Sequence, residues 1–259
     1  MFRLFTAILV LSAWSCAPAA ESCAPAANDG KEDDGPSEMS IYELRTSSSV
    51  GTKVTVRDAT ITGVITVGNG DVRIYIQDDP EASRTENEAF PENSGVLVYI
   101  ATDDETPPPD GLEVGRCLSV TGEVIEFQGT TEIGYVEAAE VDVTCNRNVI
   151  PTTVPLLFVA TDTDSDQAGF QPGPLADEYQ SLLVTVEDLA VVSASRTGDY
   201  TVGPIGDDTA TLIISDFLAG TGTLGVHDVG TEFAEITGFL GSFNNVHLEP
   251  RSATDLVTQ

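Results

Sequence analysis

Beyond position 39, apolar residues come in short runs that alternate with polar ones, and Gly, Pro, Asp and Asn break the runs at close intervals. No long stretch carries the 3.6-residue spacing of an amphipathic helix, so the pattern predicts strands joined by turns. In the first half the strands fall at 52–67, 72–78, 96–100, 117–127 and 131–144. Asn69-Gly70 marks a tight hairpin between the first two and Gln128-Gly129 another between the last two. The acidic stretch 79–93, with Pro80 and Pro91, reads as a surface loop. Only 40–45 and 175–179 are suited to a turn of helix.

The second half repeats this logic. Val54-Thr-Val-Arg-Asp-Ala-Thr-Ile corresponds to Val184-Thr-Val-Glu-Asp-Leu-Ala-Val, and Ile74-Tyr-Ile-Gln-Asp-Asp to Leu212-Ile-Ile-Ser-Asp-Phe. Leu112-Glu-Val-Gly-Arg-Cys-Leu-Ser-Val-Thr-Gly corresponds to His227-Asp-Val-Gly-Thr-Glu-Phe-Ala-Glu-Ile-Thr-Gly with one residue inserted. Three blocks in the same order indicate a duplicated unit of about five strands per copy, each copy expected to fold by itself. Five strands in about 100 residues, with a long first strand and Gly122 or Gly238 where the fourth bends, suit a small closed barrel.

The arrangement resembles the OB-fold, and more narrowly the OB-type domains of bacterial extracellular nucleases and surface lipoproteins. The residues that carry the likeness are Gly51-Thr-Lys-Val-Thr-Val, Ile74 to Asp78 and Val114 to Gly129 in the first copy and Leu248-Glu-Pro-Arg in the second. They are turn and core residues, so they specify a fold and name no ligand. The fold class expected is all-β, two tandem five-stranded OB-type barrels at 39–149 and 175–259, with a linker at 150–174.

The first residues bear on location. Met1-Phe2-Arg3, an apolar run to Trp14 and then Ala13-Trp14-Ser15-Cys16 form a secretory signal too short to span as a mature helix. The junction resembles the lipobox of bacterial lipoproteins, in which cleavage leaves a diacylated cysteine first; Trp14 departs from the small residue usual there. An ordinary signal peptide cut near Ala19-Ala20 is the alternative. The lipoprotein likeness implies a signal at 1–15, lipidation at Cys16 and, because Ala17 follows, retention at the bacterial outer membrane, on its periplasmic or its surface face. The duplicated Cys-Ala-Pro-Ala-Ala at 16–20 and 23–27 opens an acidic tether, 16–38, with almost nothing bulky to bury.

Charge then narrows the partners. The chain has 11 Lys and Arg against 42 Asp and Glu, a net −31, and residues 150–259 contain only Arg196 and Arg251 as cations. A tight nucleic-acid complex neutralises roughly six to ten phosphates with such residues, so no nucleic-acid partner is expected. An exported chain meets an oxidising compartment, and Cys117 and Cys145, on opposite limbs of the hairpin centred near Gly129, are expected to form a disulfide.

Candidate chemistry is sparse. There is no Gly-x-Ser-x-Gly elbow, no phosphate-binding glycine loop and no Cys-x-x-Cys pair. His227 and His247 lie in the second copy as surface or edge-strand residues. Asp162, Asp164 and Asp166 alternate like the start of a calcium loop, but Gln167 and Gly173 stand where an EF-hand wants Gly and Glu. Both a solvated acidic linker and a looser Ca2+ site fit them, and no other cofactor is indicated. OB barrels bind ligands on strands two and three, where Tyr75 and Phe217 are the candidate ligand-binding aromatics. The function expected is a membrane-anchored, non-catalytic binding module for an envelope protein or glycan. An accessory role in an extracellular nuclease or metal-dependent hydrolase system is the alternative.

Overall fold

A computed structural model describes residues 35–79, 92–102, 106–162, 173–194, 198–242 and 245–259. Cys16, Asp164 and Asp166, with the signal and nearly all of the tether, lie outside the described residues. The first barrel is led by β1 (Ser37–Glu38) and α1 (Ile41–Ser47). It is built from β2 (Lys53–Thr66), β3 (Val72–Gln77), β4 (Gly95–Ile100), β5 (Cys117–Phe127) and β6 (Thr130–Asp142). The second is led by β7 (Thr152–Thr153), α2 (Leu156–Val159) and β8 (Thr161–Asp162). Its barrel strands are β9 (Leu183–Ala194), β10 (Tyr200–Pro204), β11 (Ala210–Ile214), β12 (Glu232–Gly241) and β13 (His247–Glu249), and β14 (Leu256–Thr258) follows.

Each barrel closes in the same way. The first runs β2-β3-β4-β6-β5 and returns through a β2–β5 pairing; the second runs β9-β10-β11-β13-β12 and returns through β12–β9. The pairs β4–β6 and β11–β13 are parallel and the other barrel pairs antiparallel. This is the five-stranded OB order, and the molecule is all-β with two closed barrels.

Alternation fills each barrel. Ile74 and Ile76 of β3, Val96, Val98 and Ile100 of β4 and Leu118 of β5 point inward and are fully buried; each large one contributes roughly 1.5–3 kcal/mol relative to exposure. The second core is assembled from Val184, Val186, Leu212, Ile214, Phe233 and Leu248 with their neighbours. α1 is started by a capping box, in which Ser40 and Glu43 satisfy each other's backbone N–H groups. Asp78 accepts from the Ile41 and Tyr42 N–H groups at 3.0 and 2.9 Å and ties the helix to the end of β3.

The duplication reaches backbone detail. Asp58 and Asp188 both sit at left-handed φ, 52° and 55°, and β2 carries a bulge against β5 at that point. Gly115 and Gly230 share φ of 89°, and each donates its N–H at 2.8 Å to the matching residue, Ile61 or Val191. Thr55 faces Thr121 across the closing pair at 2.9 Å, and Thr185 faces Thr237 at 2.7 Å. Gly122 and Gly238 are needed because a Cβ at either would lie 2.7 Å from the backbone of the fifth strand. The middle block, however, does not match by strand: Ile74 lies on the second strand of its barrel and Leu212 on the third of the other.

The stretch 150–174 is more than a linker. Thr152 of β7 runs parallel to β9 opposite Val184, as Ser37 of β1 does to β2 opposite Val54. Val154, Leu156 and Val159 are buried in the second core. The repeating unit thus begins at its leading strand. Cys117 and Cys145 are disulfide-bonded, with Cα atoms 5.6 Å apart. Residues 35–259 make one compact unit. No helix among the described residues is long and apolar enough to cross a membrane.

Candidate functional site: the cleft between the barrels

The outward residues of β3, β4 and β6 are Arg73, Tyr75, Leu97, Tyr99 and Glu132, because the inward set has taken the alternate positions. In an isolated OB barrel the second- and third-strand part of this face would meet a ligand. Here the second barrel covers part of it: Tyr75 and Leu97 join Leu183 and Phe239 in a small apolar seam. The Tyr75 and Phe239 rings stack with centroids 3.9 Å apart and planes 13° apart.

Glycines on the first barrel permit this approach. A Cβ at Gly63 would meet the Phe239 ring at 2.6 Å, and one at Gly95 would meet Leu182 at 2.9 Å. Gln180 bolts the edge of the seam. Its amide accepts from Arg45 and from the Thr131 N–H, and donates to the Gly129 carbonyl and to Ser242.

Beside the seam opens a cavity of about 460 Å³, lined by both barrels. Its polar wall is a chain of three groups. The Tyr75 hydroxyl donates to Glu249 Oε2 at 3.2 Å, and His247 Nε2 lies 2.9 Å from Glu249 Oε1. The other ring nitrogen of His247 lies 2.9 Å from the Asn245 carbonyl, so both nitrogens face acceptors, an arrangement that suits the imidazolium. Burial opposes that charge, but the Glu249 hydrogen bond and charge, the Asn245 carbonyl and Asp199 outweigh it and raise the His247 pKa. Burial, then the Glu249 charge, pushes the Tyr75 hydroxyl well up, so it stays a donor.

Opposite groups are less well satisfied. Glu132 is 4% exposed, and its carboxyl accepts no hydrogen bond among the described residues. Burial lifts its pKa to about 7, with Arg73 pulling the other way. Arg73 places its guanidinium carbon 5.1 Å from the centroid of the Phe217 ring. Its buried Nε has no partner. Every other described Arg or Lys has a hydrogen bond or ion pair; Arg73 has neither among the described residues.

Tyr75 and Phe217 line this same cavity, the first buried and the second half-exposed on the rim. Asp162 pairs through its backbone with Ala210. His227 packs edge-on against Tyr200 and Phe233 and bonds the Leu224 carbonyl, sharing nothing with His247, which is buried rather than on the surface. Among the described residues no three His, Cys, Asp or Glu side chains are placed to hold a metal ion.

Sequence reasoning passed over Arg73, Glu132 and Glu249, and read His247 only as a surface or edge-strand residue. Arg73 did leave a signal: a rare cation two positions before Tyr75, on the same face of a ligand-type strand. Glu132 and Glu249 left none among 42 acids. No protein-family model matches the chain, and no curated protein matches it.

Proposed function

We propose that this protein is a lipid-anchored envelope lipoprotein that binds a small ligand, without turning it over, in the cleft between its two OB-type barrels. The observation that carries this reading is the cavity itself, walled by both barrels and lined by Phe127 and Phe217 together with convergent polar groups. Its Tyr75–Glu249–His247 chain is satisfied internally, which supports a fixed recognition surface over a proton-transfer device. Ala-Trp-Ser-Cys16 supports the anchor, which is stable once more than one acyl chain is attached.

Two measurements test the two halves of the proposal. A fractionated small-molecule extract of the envelope should contain a component that raises the melting temperature of the protein. Ser215→Trp, which fills the cavity, should abolish that shift; a shift that survives in the variant places binding elsewhere. Metabolic labelling with a fatty acid should mark the wild type and not Cys16→Ala, and a label retained in the variant refutes the anchor.

A further inference from the structure

Resting on the reading of the cleft as a small-molecule site, we infer that its ligand is an organic monocarboxylate with an apolar body. The carboxylate would sit on the Arg73 guanidinium, and the body against Phe127, Phe217 and Leu240. Two observations and the chemistry of the guanidinium lead there. In a chain of net charge −31, Arg73 is the one described cation that makes no hydrogen bond or ion pair among the described residues, its nearest acid being the buried Glu132, whose pKa burial raises. A buried guanidinium N–H without an acceptor is costly, and a carboxylate is the group whose geometry matches the guanidinium fork. Phe217 covers one face of the guanidinium, which leaves its edge for the ligand.

The surrounding charges choose among anions. Glu132, Glu249 and Asp199 also line the cavity, and a dianion such as phosphate would meet all three. A monocarboxylate needs one counter-charge, and Arg73 supplies it. An ammonium ligand would face Arg73 and the His247 imidazolium, while Glu249 is already engaged by His247 and Tyr75. A neutral apolar ligand would cover the rest of the Arg73 guanidinium with nothing to accept its protons.

Glu132 makes the site sensitive to pH. It faces Arg73, Tyr75 and Tyr99 on its own barrel and shares the cavity with Glu249, His247 and Asp199 of the other. Protonated, it donates to a ligand oxygen; ionised, it repels the ligand. His247 acts in the same direction, losing positive charge as pH rises.

The test uses the full chain in mild detergent and three probes that share one body: benzoate, benzyl alcohol and benzylamine. Binding is read from chemical-shift changes of cleft amides at pH 6 and pH 8. Benzoate should bind better than the other two, bind more weakly at pH 8, and lose on the order of tenfold in affinity in Arg73→Ala, as loss of a charge-assisted pair implies. Arg73→Lys, which keeps the charge, should recover part of that loss. In Glu132→Gln the pH dependence should shrink to the share that belongs to His247.

Benzyl alcohol or benzylamine binding in preference to benzoate, with shifts confined to the cleft, overturns the carboxylate inference and leaves the cleft reading standing. Benzoate affinity unchanged in Arg73→Ala overturns it too. An undiminished pH slope in Glu132→Gln removes Glu132 from the mechanism. Shifts from none of the three probes at the cleft overturn the inference and the cleft reading together.

Discussion

Glu132 shows how far a residue's chemistry can stand from its letter in the sequence. Its place on β6, outward but roofed by the second barrel, buries the carboxyl and raises its pKa from an ordinary 4.5 to about 7. The folded state therefore binds more protons than the unfolded chain between those values, so stability falls as pH rises through that window. A shift of this size corresponds to about 3 kcal/mol. His247, also raised, adds to the same fall, since its contribution is complete below its unfolded pKa and is lost as pH climbs past its folded one. Urea midpoints should drop from pH 5 to pH 8 in the wild type, and Glu132→Gln should flatten most of the drop. Asp71 works at the opposite end: Tyr99, then Thr102 and Asn69, hold its pKa at about 2, so what it contributes is lost only in acid, outside this window.

Elements were legible to within a residue or two where alternation was strong. The five strands read at 52–67, 72–78, 96–100, 117–127 and 131–144 correspond to β2 to β6, and the helical turn at 40–45 to α1. The start of the second copy was not legible, because β7 and α2 are too short to leave a periodic signal. Their contribution comes from burial of Val154, Leu156 and Val159. A fragment starting at Gly173 should accordingly lack a cooperative thermal transition, whereas one starting at Val149 should show one. The Cys117–Cys145 bond ties the head of β5 to the chain just beyond β6 and closes a loop of 28 residues. By the chain-entropy estimate, Cys117→Ser should cost about 3 to 4 kcal/mol in denaturant unfolding under oxidising conditions, and no difference from wild type should remain in reductant.

At the scale of the molecule, the barrels touch through a seam of few side chains, and shape rather than area sets its geometry. Gly63 lies under the Phe239 ring, whose other neighbour is Tyr75. Gly63→Ala should therefore cost about 1–3 kcal/mol, as overpacking does, and should perturb the amides of the cleft. Gly68→Ala, where a Cβ meets nothing within 4 Å, should do neither. The net charge leads to a second prediction at this scale. Fluorescence anisotropy with a labelled 20-mer should give single-stranded DNA binding no tighter than about 0.1 mM at physiological salt, because too few cations are present to release counterions. A micromolar, salt-sensitive isotherm would restore the nuclease-accessory reading.

The sequence by itself determined the strand class, the duplication, the disulfide pair and the poverty of cations, since each depends on local alternation, composition or the spacing of a few marked residues. Tertiary structure decided which outward residues became a site. Tyr75 was visible as an aromatic on a ligand-type strand, but its burial depends on Phe239, 164 positions away, and its hydrogen bond on Glu249, 174 away. Alternation marks a residue as facing out of its own barrel without saying whether water or another barrel lies there. Only the docking of the second copy onto Gly63 and Gly95 turned an outward Arg and an outward Glu, two among many surface charges in the sequence, into a cation without an ion pair among the described residues and a raised carboxyl in one cleft.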